Sequence, residues 1–188
     1  DDEGFDMQNE AVQLILSSAH EAVNRLQFYR QAYGRVGDSG EACLAEKKTL
    51  AQDFFSATKV RLDWPDSHTD ASGVAISQKM ARLLLNLLVI GGASLIKGGT
   101  LSVRVTQNDQ EDKEIHVTAV GETIKIDADT AAILKSDSDA VTLTPKTAQP
   151  FLAMKLAQES NATVDFSHEG NSFDIVVKQR HLALANAS

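Results

Sequence analysis

Between Met7 and Gly34 the apolar residues Val12, Ile15, Ala19, Ala22, Leu26, Tyr29 and Tyr33 step alternately by three and four. That rhythm predicts the seam of one long helix, unbroken for about six turns. So narrow a stripe needs a second helix against it, because a single helix cannot bury its own face. No later segment has the length and pattern to serve. The expected partner is therefore another copy of the chain, or residues ahead of it. The acidic opening DDEGFD, with Gly4 inside it, reads as an inter-helix turn leading into a negatively charged helix start. Gly34 to Gly40 reads as the linker that ends the helix.

Beyond the linker the pattern changes period repeatedly. Residues 41–58 have helical spacing anchored by Leu44, Leu50, Phe54 and Phe55. KVRLDW (59–64) alternates polar and apolar until Pro65 stops it, which predicts a strand. DSHTDAS is read as a loop, and 73–96 as a helix apolar on most sides, hence buried between layers. Strands are expected at 100–107 and 114–121, joined by a polar hairpin loop, with a third at 122–127. Short helices are expected at 128–135 and 145–160, separated by a polar loop containing SDSD. ATVDFSHEG and NSFDIVVKQ predict a closing hairpin turned at Gly170 and Asn171, followed by a frayed tail from His181. The fold class is α+β, with helices on one face of a mostly antiparallel sheet and no internal repeat. Two units are expected: a helical one over 1–36 and an α/β sandwich over 41–188.

Composition narrows the function classes. The chain has 188 residues, 43% hydrophobic, which suits a globular protein and excludes disorder. A formal charge of −8 argues against general nucleic-acid or anionic-membrane binding. LLLNLLVIGGASLI (83–96) falls short of the ~20 residues a membrane span needs. The acidic opening is no signal peptide. One cysteine, Cys43, excludes an internal disulfide framework, fits a reducing cytoplasm, and reads as a small buried hydrophobe between Ala42 and Leu44. No His/Cys cluster suggests a metal site.

The element order then matches a specific pattern. NLLVIGGASLIKGGTLSVRV (86–105) resembles the nucleotide-domain stretch of sensor histidine kinases, and TAQPFLAMKLAQESNATVDFSHEGNSFDIVV (147–177) resembles their last helix and terminal hairpin. RLQFYRQAYG (25–34) and RLDWP (61–65) narrow the likeness to the ChpT-type histidine phosphotransferases. Three kinase features are absent. The second N-box asparagine is replaced by Ile90, the adenine-binding Asp-Gly stretch by TAVGETIKI with Gly121 alone, and the second glycine-rich loop by the glycine-free SDSDAVTLTPKTAQP. Phosphate cradles depend on bare backbone N–H groups and free φ/ψ, so the resemblance implies lost ATP binding and no cofactor.

The family resemblance implies a homodimer whose two helical hairpins form a four-helix bundle, each carrying a kinase-like sandwich. It implies phosphoryl relay from the receiver domain of a CckA-like hybrid kinase to CtrA-like and CpdR-like response regulators. Magnesium and aspartates come with the receivers. By the same resemblance Met7–Gly34 is the second hairpin helix, and the phosphoacceptor histidine lies upstream, outside this chain. Among His20, His68, His116, His168 and His181, only His20 lies on the long helix, where Glu21 could orient its imidazole. It stands as the alternative phosphoacceptor. Receiver docking is expected on Arg25, Leu26, Phe28, Tyr29, Arg30 and Tyr33. Leu26, Tyr29 and Tyr33 follow the seam, whereas Phe28 and Arg30 fall off it and are expected to be exposed together as an interface anchor.

Overall fold

The computed structural model describes residues 2–34, 40–69, 73–108, 112–135 and 143–180. The linker core (35–39), the SDSD loop, parts of the loops at 70–72 and 109–111, and the tail from His181 lie outside them. Helix α1 spans Asp2–Tyr33 as one 32-residue rod. The acidic opening is thus helical from Asp2 rather than a turn. Acidic residues in a first turn interact favourably with the helix dipole, and a single Gly4 costs only about 1 kcal/mol, too little to break the rod.

After the linker, β1 (Glu41–Ala42) pairs antiparallel with β3 (Ile76–Ser77), and the two introduce helices α2 (Leu44–Phe55) and α3 (Gln78–Ser94). Both helices therefore start a few residues later than their spacing suggests. The Ser77 side chain caps α3 by accepting the Met80 N–H, and Gln78 Nε2 donates to Glu41 O at 2.9 Å. Cys43 is exposed at the start of α2, correcting its reading as a buried residue. Its neighbours Ala42 and Leu44 take the inward positions instead.

The sheet runs β2-β4-β5-β7-β6, comprising β2 (Val60–Asp63), β4 (Gly99–Gln107), β5 (Lys113–Val120), β6 (Ala162–Glu169) and β7 (Ser172–Gln179). Only the β2–β4 pair is parallel. Alternation puts Leu101, Val103 and Val105 of β4, Ile115, Val117 and Ala119 of β5, and Phe173, Ile175 and Val177 of β7 on one buried face. Helix α3 lies over that face, with α5 (Ala148–Glu159) beside it and α4 (Ala128–Lys135) toward β6. Burial all round explains why α3 is apolar on most sides. The segment 122–127 is not a strand: it makes one bridge, Ile124 to Leu95, and Lys125 N–H donates to Ser94 O. Both edges of β5 are already taken by β4 and β7, so the segment has no sheet edge beside it. No helix among the described residues is long and apolar enough to cross a membrane.

Candidate docking face and phosphotransfer site

Helix α1 presents two different faces. Its seam lies uncovered: Val12, Ile15 and Leu26 are 51%, 67% and 70% exposed, with Leu14, Leu16 and Val23 widening the apolar surface. The other face, over its last two turns, is buried. Phe28 and Ala32 are wholly covered, and the Phe28 ring stacks on Phe54 of α2 with centroids 4.1 Å apart. This corrects the expectation for Phe28. It falls off the seam because it faces the α/β body, so it is an internal joint and no exposed anchor.

The remaining expected contact residues divide by environment. Leu26 and Arg30 are exposed, and Arg25 is tied to Glu21 one turn back at 2.6 Å. Tyr29 and Tyr33 stack at 5.5 Å, and Tyr29 meets Phe54 edge-on at 5.5 Å. Burial, and then the neighbouring Tyr29 hydroxyl, push the Tyr33 hydroxyl above its ordinary pKa. Tyr33 thus stays a neutral donor at neutral pH. His20 is exposed on α1, and Glu21 is engaged by Arg25.

Two polar ties join α1 to the body, and sequence reading missed both. Asn86 of α3 is fully buried. Its Nδ2 donates to Ala32 O in the last turn of α1 at 3.0 Å, and to Arg82 O at 2.9 Å. Two carbonyl partners fix the amide orientation, since only its nitrogen can donate. The buried Lys47 of α2 reaches Gln31 Oε1 at 2.9 Å. A signal existed: Lys47 occupies the inward stripe Leu44, Lys47, Ala51, Phe55 of α2, where a lysine is out of place.

The region that resembles a nucleotide site forms a cleft of about 280 Å³. Ile90 and Phe173 lie in its wall, with Lys125, Asp127 and Lys146 at its polar side. Gly121 is explained by packing: a Cβ there would come within 2.8 Å of Gly98 O and 2.7 Å of Leu95.

Of the other histidines, His68 is more than a loop residue. Its Nδ1–H donates to Val105 O at 3.0 Å, and its own carbonyl accepts the Trp64 indole N–H at 2.8 Å. His116 faces Glu114 at 3.3 Å on β5, His168 is exposed on β6, and His181 lies outside the described residues. On the outer sheet face Arg104 bonds Asp63 at 2.9 Å and holds its carboxyl below the usual range.

The family model for the histidine phosphotransferase C-terminal domain matches residues 44–172. The chain belongs to that family. The match runs from the start of α2 to the first residue of β7, most of the body that buries the end of α1. A relative, the protein phosphotransferase ChpT of Brucella abortus (strain 2308), is 26% identical over 156 residues, 82% of this chain and 72% of its own. A solved bacterial phosphotransferase superposes with a TM-score of 0.75 at 23% identity, over 90% of this chain and 79% of that one. The histidine kinase domain of the Erythrobacter litoralis EL346 blue-light activated kinase gives 0.54 at 14% identity, over 92% and 85%. The α+β histidine-kinase-like fold of this family member therefore agrees with the expectation from sequence.

Proposed function

We propose that this histidine phosphotransferase relays phosphoryl groups from the receiver domain of a CckA-like hybrid kinase to CtrA-like and CpdR-like response regulators. The observation that supports it is the uncovered seam of α1, ending in an exposed Leu26–Tyr29–Arg30–Tyr33 patch beside a family-typical body. The seam would be covered by a hairpin partner and a second copy, giving a homodimeric four-helix bundle. The acceptor histidine then sits on the helix facing α1, with His20 as the alternative.

The chemistry asks little of this chain. A neutral imidazole nitrogen attacks the phosphorus of the receiver's aspartyl phosphate; the P–N bond forms as the P–O bond to aspartate breaks. The carboxylate leaves on the receiver with its magnesium, and the reverse exchange charges the next regulator. Positioning supplies most of the rate, because holding two reactants in register removes the cost of bringing them together. Neither nucleotide nor resident metal is required.

The test is radiolabel transfer from a phosphorylated receiver domain to the full-length protein, with His20→Ala alongside. The reading expects transfer by wild type and by His20→Ala, and no heat of ATP binding by calorimetry. Labelling from ATP would make the protein a kinase. Receiver binding without transfer would make it a scaffold.

A further inference from the structure

We infer that the docking face is composite, shared between α1 and α2, and that Asn86 and Lys47 are positioning residues that hold its two halves in register. This rests on the receiver-docking reading above. The aromatic patch does not stop at the helix. Tyr29 and Tyr33 of α1 stack on each other, Tyr29 abuts Phe54 of α2, and the half-buried Phe54 and Leu50 continue the apolar surface onto the body. A receiver seated on Leu26, Tyr29 and Tyr33 therefore meets α2 as well. Its acidic phosphorylation site is complemented by exposed Arg30 at the same end.

Such a face works only if the angle between α1 and the body is fixed. Three ties converge on the last two turns of α1 and on three successive positions of its inner face. Phe28 stacks on Phe54, Gln31 accepts from Lys47, and the Ala32 carbonyl accepts from Asn86. They reach two different helices, α2 and α3, so together they block rotation about any single contact. Two of these ties are costly for stability alone. Lys47 is a cation almost wholly buried against a neutral amide, and among the described residues Asn86 Oδ1 is a buried acceptor without a donor. An apolar side chain at either position would bury more cheaply. What these polar groups supply is direction: a donor aimed at one carbonyl fixes an angle that apolar packing leaves loose. The last turns of α1 are fastened to the body at these three points.

The experiment compares wild type with Lys47→Met and Asn86→Leu, each of similar volume and neither within the exposed patch. A spin label at Gln13 and another at Ser167, with Cys43→Ser, reads the α1-to-sheet distance distribution in the full-length protein. Transfer from a phosphorylated receiver is measured in the unlabelled variants. Wild type is expected to give one narrow distance. Each variant should broaden it and raise KM for the receiver at least fivefold with kcat little changed. Lys47→Gln, which keeps a donor, should recover most of the KM. Lys47→Gln keeps the polar reach of the native side chain, so the Lys47 variants keep the test decisive should Asn86→Leu fail to fold. A broad distribution in wild type overturns the inference. So does a broadened distribution with unchanged KM, which would place docking on α1 alone. If wild type neither binds nor exchanges phosphoryl with a receiver, the docking reading falls first and takes the composite face with it, even where the distance stays narrow.

Discussion

Phe28→Ala sets the two faces of α1 against each other. The ring is wholly buried, stacked on Phe54 at 4.1 Å and edge-on to Tyr29 at 6.0 Å. A phenylalanine of this kind removes roughly 200 Å² from water, about 5 kcal/mol at 25 cal/mol per Å². Residual burial in the unfolded chain trims that by ~10–40%, and the aromatic pairing returns ~1 kcal/mol. The expected loss is therefore about 4 kcal/mol, inside the ~3–5 kcal/mol seen for such truncations. With a urea m-value near ~2 kcal/mol/M, the unfolding midpoint should fall by about 2 M. Leu26→Ala, two residues away and 70% exposed, should move it by no more than about 0.5 kcal/mol in the isolated protomer. Both are read by urea titration at fixed protein concentration, with hydrogen exchange over residues 25–33 locating the loss. A cost below about 1 kcal/mol for Phe28→Ala would refute the internal joint and return Phe28 to the docking face.

Ile15→Glu on the uncovered seam should convert the proposed dimer to monomer by light scattering, and leave unfolding of the monomeric body within about 0.5 kcal/mol. Gly98→Ala should cost about 2 kcal/mol or more: its φ is +90°, and a Cβ would sit 2.4 Å from Lys59 O, a backbone atom that cannot yield cheaply. Thermal melts check it. The Arg104 bond lowers the Asp63 pKa in the folded state, so its stabilising effect is complete above the unfolded value of about 3.9 and is lost as pH falls through the folded value. Arg104→Met should therefore flatten the acid limb of stability below about pH 4 and change its pH dependence little between pH 6 and 8, as read from urea midpoints. Asp63 is partly exposed, so the effect is small and salt-sensitive.

Sequence alone determined the elements whose side-chain period is enforced by burial on one side. The alternation through Leu101, Val103 and Val105 and through Phe173, Ile175 and Val177 was legible because a sheet face admits no other arrangement. The long helix, the apolar α3, the Gly170–Asn171 hairpin and the family were legible for like reasons. Exposure of the α1 seam also followed, since no helix among the described residues covers it.

Tertiary structure decided what depends on contacts between distant segments. Among the described residues the buried apolar positions of α1 are Phe28 and Ala32, one pair spaced by four, too brief to register as a second stripe. Whether Phe28 pointed to solvent or inward depended on Phe54, 26 positions later. Segment 122–127 alternates like a strand, yet β4 and β7 had already filled both sides of β5. In the sequence Asn86 was only a polar residue inside an apolar run. Its position against the Ala32 carbonyl made it a tie between helix and body, because a buried donor takes its role from the nearest acceptor, and only the fold brings that acceptor within reach.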